Sequence, residues 1–314
     1  LITNGQPGTN SIIRVRGFGA FGGNEPLYVV DGVPVGSTDF LSPDDIESTT
    51  VLKDAAAASI YGARAANGVI VYTTKQGSRG KKGLSITYNG MYGGTDPNVA
   101  GAPQMLTPQE QADWTHVAYR KNAAANGTAV AYTHPQYGSS AQAVIPTYLH
   151  ANGANGVRGS VDMAAIQAAY AASPLTTFLI RPNLAGTNWF DEITRFGSTM
   201  RHSLGIGGGT ENGRFYLGIS GQEQQGILLE NDFKRYSARF NSEFNLGKKV
   251  RVGENLQFTY RSVRGQAGGN GGLGIAADES VILSAYRMPT IIPVFDDFGS
   301  YFCGFDEIFL PTFG

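Results

Sequence analysis

The sequence predicts a small α+β domain followed by the first strands of an antiparallel transmembrane β-barrel. Three observations predict it. Short apolar strands and helix-like stretches fill residues 1–80, long strands of alternating polarity follow residue 84, and very short turns alternate with very long ones. The composition agrees, because 43 glycines with 17 Phe and 15 Tyr among 314 residues are typical of many strands joined by turns. We therefore expect two regions, 1–80 and 84–314.

The first region reads as alternating strands, turns and helices. Leu27–Val30 is a short continuous apolar run, as expected for a strand that is covered on both faces. It ends in Asp31-Gly32, a strong turn pair. An Ala-rich stretch predicts a helix that Gly62 ends, and the next strand begins at Gly68. Asp31, Gly32, Gly62 and Gly68 are therefore interpreted as structural turn and cap positions.

The second region contains long strands with one apolar and one polar face. From Tyr236 to Leu246 the even-numbered residues are largely apolar and the odd-numbered residues are all polar. Residues 250–261 repeat the pattern, with Glu254 as the one misfit. Strands of about fifteen residues exceed the five or six that are usual in soluble sheets. Alternation alone does not tell whether the apolar face meets lipid or a protein core, so a secreted soluble all-β binding domain stays an alternative.

Short and long connections alternate along this region. The Asn-Gly pair at 212–213 is a strong hairpin signal, and the Gly-Lys-Lys turn at 247–249 is equally tight. Opposite them lie the long stretches 94–197 and after 264. Short turns on one side and long loops on the other are typical of an outer-membrane barrel whose long loops are extracellular. Thr107 is a candidate N-cap for a helix inside the first long loop.

The charge balance and residue counts argue against several function classes. The 24 basic and 25 acidic residues nearly cancel, so no nucleic-acid partner is expected. Cys303 is the single cysteine, which excludes an internal disulfide, and the four histidines are scattered without metal-ligand spacing. No catalytic constellation stands out. We predict no enzyme activity, no cofactor and no metal site.

Two local motifs have structural interpretations. Gly17–Gly22 matches the dinucleotide-binding fingerprint, but a strand rather than the required helix follows it, so we interpret the match as coincidence. Asp296-Asp297 stands before Phe298-Gly299. Two adjacent acids before a glycine are typical of a turn, with a weak calcium site as the alternative.

Several stretches, all in one order, resemble the plug and first strands of SusC/RagA-like TonB-dependent transporters. The plug-like stretches are 5–8, 13–17, 24–34, 44–48, 51–55 and 60–70. Those in the second region are 188–193, 226–227, 232–237 and 288–294. The resemblance runs from about residue 5 to residue 300 and is weakest across 95–185. It departs mildly from the family pattern at Ala63, where the plug helix often ends in Tyr-Gly-Ser.

The resemblance implies a barrel of about 22 strands around an N-terminal plug, with about five of those strands present here. It implies the outer membrane of a Gram-negative bacterium of the Bacteroidota type, and active import of oligosaccharides or peptides. The implied partners are outer-membrane lipid, a SusD-like surface lipoprotein, and TonB–ExbB–ExbD through an N-terminal segment that we expect to be missing from this sequence. A passive barrel, or a secretion or assembly barrel, stays open as an alternative.

The resemblance also gives roles to polar and aromatic residues. The plug side chains expected to face polar lumen groups are Arg14, Arg16, Lys53, Asp54 and Arg64. Their expected partners on the strands include Arg239 and Glu243. The loop that would form the floor of a substrate cavity supplies four candidate contacts, Phe18, Phe21, Asn24 and Glu25. Because exposed ion pairs contribute only about 0–1 kcal/mol each, such a plug could be rearranged at modest cost.

Overall fold

The computed structural model describes residues 7–8, 25–79, 83–98, 103–127, 134–247, 249–265 and 281–299. The chain forms two compact units. The first consists of Leu1–Asn98 with Thr194–Asn270, and the second of Val99–Ile193 with Gly271–Gly314. The first unit therefore holds both the short strands and the long strands that the sequence predicts.

The described residues form these elements in chain order: β1 Leu27–Val30, β2 Val33–Val35, β3 Ile46–Leu52, α1 Ala55–Ala58, β4 Val69–Thr74, β5 Gly83–Thr95, α2 Pro108–Ala125, β6 Tyr148–Ala151, β7 Ala154–Val157, α3 Met163–Ala172, β8 Leu179–Ile180, α4 Trp189–Ile193, β9 Gly197–Gly209, β10 Gly213–Gln225, β11 Asp232–Leu246, β12 Val250–Arg264 and α5 Val281–Arg287. Two 3₁₀ helices, Pro43–Asp45 and Ser59–Ala65, precede β3 and follow α1. Short strands therefore come first and the longest strands later, as the sequence predicts.

The short strands of the first unit form a four-stranded sheet in the order β2-β1-β4-β3. β1 and β4 run parallel, and β2 and β3 pair antiparallel at the two edges. Leu27 and Val29 of β1, Val69 of β4, and Ala58 and Ala65 of the helical segment form its core. β1 is apolar throughout because both of its faces are covered.

The helical segment after β3 differs from the single helix predicted to end at Gly62. The α-helix is only four residues long, and the 3₁₀ helix that follows it is interrupted at Gly62, where φ is 69° and ψ is −158°. Residues that carry a Cβ rarely adopt such a conformation, which glycine tolerates, and the helix breaks here. Asp31, Gly32 and Gly68 also have positive φ, at 47°, 86° and 95°. Each of the four marks a change of chain direction.

The long strands form a five-stranded antiparallel sheet in the order β12-β11-β10-β9-β5. Each strand is 13 or 15 residues long. Tight turns join β9 to β10 and β11 to β12, at the two places where the sequence predicts them. β5 and β12 are the edges of this sheet within the described residues, so the sheet is not closed. The predicted fold class, an α+β plug followed by barrel-type antiparallel strands, is confirmed.

The face of this sheet turned away from the short strands, here called the outward face, is apolar. Strand register aligns its residues in rows, and one such row consists of Ile86, Ile206, Leu217, Phe240 and Leu256. Nearer the long connections, Tyr236 and Tyr260 stand opposite each other. From Tyr260 to Val250 the outward face spans about ten residue steps, which gives a height of about 26 Å at about 3.4 Å per residue and about 40° tilt. Outer-membrane barrels have an apolar band of about 25 Å bordered by aromatic residues.

The second unit contains α2 to α5 and the three-stranded sheet β7-β6-β8. Its buried core includes Ala112, Leu149 and Ile291. The N-cap predicted at Thr107 is confirmed, because Glu110 N–H donates to Thr107 Oγ1 at 3.3 Å and Thr107 N–H donates to Glu110 Oε2 at 2.9 Å. Among the described residues, no helix combines the length and the apolar character needed to cross a membrane.

Candidate functional site: the interface between the plug and the strands

The four-stranded domain, here called the plug, lies against the polar face of the long strands. On β11 the inward-facing Arg239 and Asn241 are 3% and 2% exposed, whereas the outward-facing Phe244 is 49% exposed. Phe258 on β12 is 71% exposed. A soluble sandwich buries its apolar face and exposes its polar one, so this polarity is the reverse. The arrangement therefore argues against the soluble all-β alternative.

The centre of the interface is a buried hydrogen-bond network around Thr74, at the end of β4. Thr74 donates to both carboxylate oxygens of Asp31, its N–H at 2.8 Å and its hydroxyl at 2.6 Å. From the strands, Arg239 Nη1 and Asn241 Nδ2 donate to Thr74 Oγ1 at 3.2 and 3.0 Å. Arg239 also bonds to Gln257 and lies 3.5 Å from Asp31 Oδ2. Because a buried charge is costly unless it is paired, Asp31 is the counter-charge that makes Arg239 tolerable here.

A second buried acid of the plug, Asp45, faces β10. Tyr216 OH donates to Asp45 Oδ1 at 3.2 Å. A Cβ on Gly218 would overlap the same oxygen, so glycine at this position leaves room for the carboxylate. Burial raises the pKa of Asp45, and the charge of Arg239 and the hydrogen bond from Tyr216 partly oppose that rise. The ionisation of Asp45 therefore depends on how closely the plug meets the strands.

Long polar side chains of β11 and β12 hold the plug loop 39–41, which precedes the first 3₁₀ helix. Arg235 Nη1 donates to two carbonyl oxygens of this loop, at 3.3 and 3.2 Å. The Thr259 hydroxyl donates to a third at 3.0 Å. Arg261 forms an ion pair with the carboxylate of Asp39 at 2.6 Å. The strands therefore contact the backbone of this loop mainly through side chains, which can rotate.

At the tight-turn end of the interface, one carboxylate contacts three guanidinium groups. Glu243 on β11 pairs with Arg214 on β10 at 2.6 Å and with Arg251 on β12 at 3.0 Å. Its third partner, Arg79 at 2.5 Å, belongs to the segment that leaves β4. The cluster therefore fastens the end of the plug to the strands.

A cavity of about 530 Å³ lies between the plug and the inward faces of β5 and β9. On the plug side it is lined by Asp44, Asp45 and Glu47. On the strand side the lining is short and polar, including Ser85 and Thr87. Among the described residues, the plug is therefore contacted closely by β10 to β12 and loosely by β5.

The two strand residues singled out from the sequence, Arg239 and Glu243, face the plug and pair with Asp31 and Arg79. The candidate partners Lys53, Asp54 and Arg64 are exposed in this unit, and their contacts with the lumen stay a prediction. Glu25 is exposed as well. The candidates outside the described residues are Arg14, Arg16, Phe18, Phe21 and Asn24, together with the Gly17–Gly22 stretch.

Five plug residues whose side chains contact the strands are absent from the sequence candidates: Asp39, Asp44, Asp45, Thr74 and Arg79. The aspartates among them could have been predicted, because a carboxylate that faces the polar side of the strands needs a basic or hydrogen-bonding partner. The Asp44-Asp45 pair also fits the first turn of a helix, which hid that requirement. Thr74 and Arg79 have no distinguishing spacing.

The acidic turn near the end of the described chain has a counter-charge of its own. Arg181 Nε pairs with Asp297 Oδ2 at 2.5 Å, and Asp296 Oδ1 accepts the Phe298 N–H at 3.0 Å. Among the residues that the structure describes, no group of three or more His, Cys, Asp or Glu side chains could hold a metal ion. The pairing with Arg181 favours the turn interpretation of this sequence.

A small domain set against the polar face of long antiparallel strands, with an apolar band on the opposite face, defines the class of plugged outer-membrane β-barrels. Comparison with known proteins gives members of this class that the chain resembles. The family described as the TonB-dependent receptor plug domain matches residues 1–69. The chain is similar to SusC/RagA-like TonB-dependent transporters, and these relatives are receptors and transporters rather than enzymes.

Two curated relatives and two solved structures illustrate the similarity. TonB-dependent receptor P26 of Formosa agariphila is 29% identical over 311 residues, which cover 98% of this chain and 25% of the relative. TonB-dependent receptor SusC of Bacteroides thetaiotaomicron is 26% identical over 271 residues, which cover 80% of this chain and 21% of the relative. A structure of the RagAB peptide transporter matches with a TM-score of 0.65 and 25% identity, over 95% of this chain and 31% of that one. The RagAB peptide importer in its closed-closed state matches with a TM-score of 0.62 and 26% identity, over 89% of this chain and 28% of that one.

The chain spans about a quarter of the length of the curated relatives it matches. The matched part contains the plug and the first long strands.

Proposed function

We propose that this chain is the plug-bearing part of an outer-membrane importer that takes up oligosaccharides or peptides with energy supplied through TonB. The polar interface between plug and strands carries the proposal. Moving a plug packed by apolar surface would cost about 25 cal/mol for each Å² exposed to water. Hydrogen-bonding groups instead exchange their partners for water when the two surfaces separate, so each hydrogen bond contributes only about 0.5–1.5 kcal/mol net. Such an interface suits a stopper that is displaced and returns in each transport cycle.

The outward face supports the proposed location in an outer membrane. Its apolar rows and the tyrosines that border them match the height of a bilayer core, and on β11 and β12 Glu254 is the one charged side chain within this band. We propose the outer membrane of a Gram-negative bacterium of the Bacteroidota type. The relatives named SusC and RagAB support a SusD-like lipoprotein on the extracellular side and TonB–ExbB–ExbD on the periplasmic side.

The substrate is proposed as a class. The RagAB structures are described as those of a peptide importer, which supports peptides for this chain. The similarity to SusC keeps oligosaccharides as the second class within the same proposal. The predicted contacts Phe18 and Phe21 suit either class, because an aromatic ring stacks on a sugar ring or on a peptide side chain.

Deletion of the full-length gene tests the proposal. Cells are given fluorescently labelled oligosaccharides and peptides in parallel, and uptake is measured with and without the gene restored. We expect the deletion to abolish uptake of one polymer class and the restored gene to recover it. Unchanged uptake and growth on every glycan and peptide tested would contradict the proposal.

The same assay separates the alternatives. A passive, secretion or assembly barrel would keep its permeability when cells lack TonB or when the proton gradient is removed. A soluble binding domain would appear in the aqueous phase without detergent. We expect uptake to stop without TonB and the protein to require detergent for extraction.

A further inference from the structure

We propose that Glu243 anchors the segment Lys75–Arg79 on the strands, and that the plug opens around this fixed segment instead of leaving as a whole. The inference rests on the proposed function, in which the plug is displaced during transport. It goes further by naming the part of the plug that does not move and the residue that holds it.

The segment Lys75–Arg79 packs backbone against backbone on the strands. A Cβ on Gly77 would overlap the carbonyl oxygens of Phe215 and Gly208. A Cβ on Gly209 would in turn overlap the carbonyl oxygen of Ser78. Contacts this close do not depend on side-chain rotation. The segment therefore behaves as part of the strand surface.

Polar contacts fix both ends of the same segment. At one end Asn241 Nδ2 donates to the Lys75 carbonyl at 2.8 Å. At the other end Arg79 Nη2 donates to Glu243 Oε1 at 2.5 Å. Arg214 and Arg251 hold the Glu243 carboxylate from neighbouring strands, so Arg79 meets an acceptor that is already positioned. Without that carboxylate, three guanidinium groups would face one another unmatched.

The plug loop 39–41 is held differently. Its contacts are made by long side chains such as Arg235 and Arg261, which can rotate with a moving loop and exchange plug partners for water. The ion pair of Arg261 with Asp39 is about one third exposed on both sides. The two segments thus differ in how they are held, and the geometry points to 39–41 as the part that moves.

Spin-label distances in the full-length protein test this division. The native Cys303 is replaced by serine, and pairs of labels are placed at exposed positions so that the interface is undisturbed. One pair joins Ser37 on the plug to Lys249 in a tight turn, and the other joins Ser78 to Lys249. Distances are measured by pulsed electron paramagnetic resonance as urea loosens the plug in detergent. We expect the first distance to broaden at a lower urea concentration than the second.

Substitution of the anchor identifies its role. In the Arg79→Gln variant, which leaves Glu243 with its two strand partners, we expect the second distance to broaden at the same urea concentration as the first. Glu243→Gln is expected to do the same. The matched control is Arg264→Gln, which removes a strand arginine paired with Glu230 at 3.8 Å outside the interface. We expect this control to keep the two transitions apart.

Two outcomes overturn the proposal. If both distances broaden together in the unsubstituted protein, the plug leaves as a whole. If Arg79→Gln and Glu243→Gln leave the two transitions as far apart as the control does, Glu243 is not the anchor. The measurement uses no substrate, so a failure of the uptake assay and a failure of this test are distinguishable. Heat-modifiable migration on gels confirms that each variant forms a folded barrel.

Discussion

The long strands face the plug in two regions, here called walls. Their backbones are alike, but their side chains contact the plug to different extents. The contact wall consists of the inward-facing residues of β10 to β12, including Arg239, Asn241 and Gln257. The open wall consists of the inward-facing residues of β5, including Ser85 and Thr87. The contact wall is long-chained, charged and buried by the plug, whereas every residue of β5 from 83 to 92 is exposed. Both walls alternate in sequence, so alternation identifies the lumen face but not the side on which the plug rests.

The difference shows what a displaceable plug requires. One wall must recognise the plug closely enough to return it to one position, and charged, hydrogen-bonding side chains supply that specificity. The open wall must leave space for the plug to move, and its short polar side chains provide that space. If this division is right, equivalent changes on the two walls will have unequal effects.

The largest effect is expected from Arg239→Met on the contact wall. The change leaves Asp31 and Asp45 without their common cation, and removing one partner of a buried pair costs about 3 kcal/mol or more. We expect the urea concentration that exposes the plug to trypsin to fall sharply, and cells to become sensitive to large antibiotics such as vancomycin. The exposed Arg264→Met variant is the control and should change neither measurement. A plug equally protected in both variants would remove the distinction between the walls.

The next effect concerns the two faces of the sheet. Leu256→Arg places a cation in the apolar band of the outward face, which costs about 2–4 kcal/mol near the middle of a bilayer. Thr87→Arg places the same cation on the open wall, in the cavity that Asp45 and Glu47 also line. We expect the first variant to fold into bilayers poorly and the second to fold almost normally, as measured by urea titration in lipid vesicles. Equal losses would mean that the outward face does not meet lipid.

Much of this architecture could be predicted from the sequence. The alternation in β11 and β12 and their tight turns predict the long sheet, because a period of two is a local property of a strand. The resemblance to a known family supplies the plug. The partners of Arg239 could not be predicted, since Asp31 and Thr74 are far from it in sequence and meet it only through the packing of two sheets. The interpretation of Asp31 as a turn residue fits its positive φ, but its carboxylate also pairs with Arg239 on the strands.

A smaller effect is expected from a pair of glycine substitutions, one on the contact wall and one on the open wall. Gly218→Ala adds a methyl group that would overlap Asp45 Oδ1, so the carboxylate has to shift. Overpacking of this kind costs about 1–3 kcal/mol. Gly93→Ala on the open wall meets no atom within 4 Å. We expect Gly218→Ala to lower the urea midpoint for plug release and Gly93→Ala to leave it within error, with circular dichroism confirming equal strand content.

The smallest effect is a dependence on pH at the same contact. Burial raises the pKa of Asp45 above its ordinary value of 3.8, so its protonated form favours the seated plug. That contribution to stability is fully present below about pH 3.8 and is lost as pH rises through the raised pKa. Asp45→Asn mimics the protonated form and should lack this loss. We therefore expect the urea midpoint for plug release to fall more between about pH 4 and about pH 7 in the unsubstituted protein than in Asp45→Asn.

Asp54→Asn, which changes an exposed carboxylate of the same domain, is the matched comparison for that titration. Its pH profile should follow that of the unsubstituted protein. If Asp45→Asn also follows the unsubstituted profile, the carboxylate of Asp45 is hydrated in solution and the plug does not seal against Gly218. The contact wall would then end at Arg239, and β10 would belong with the open wall.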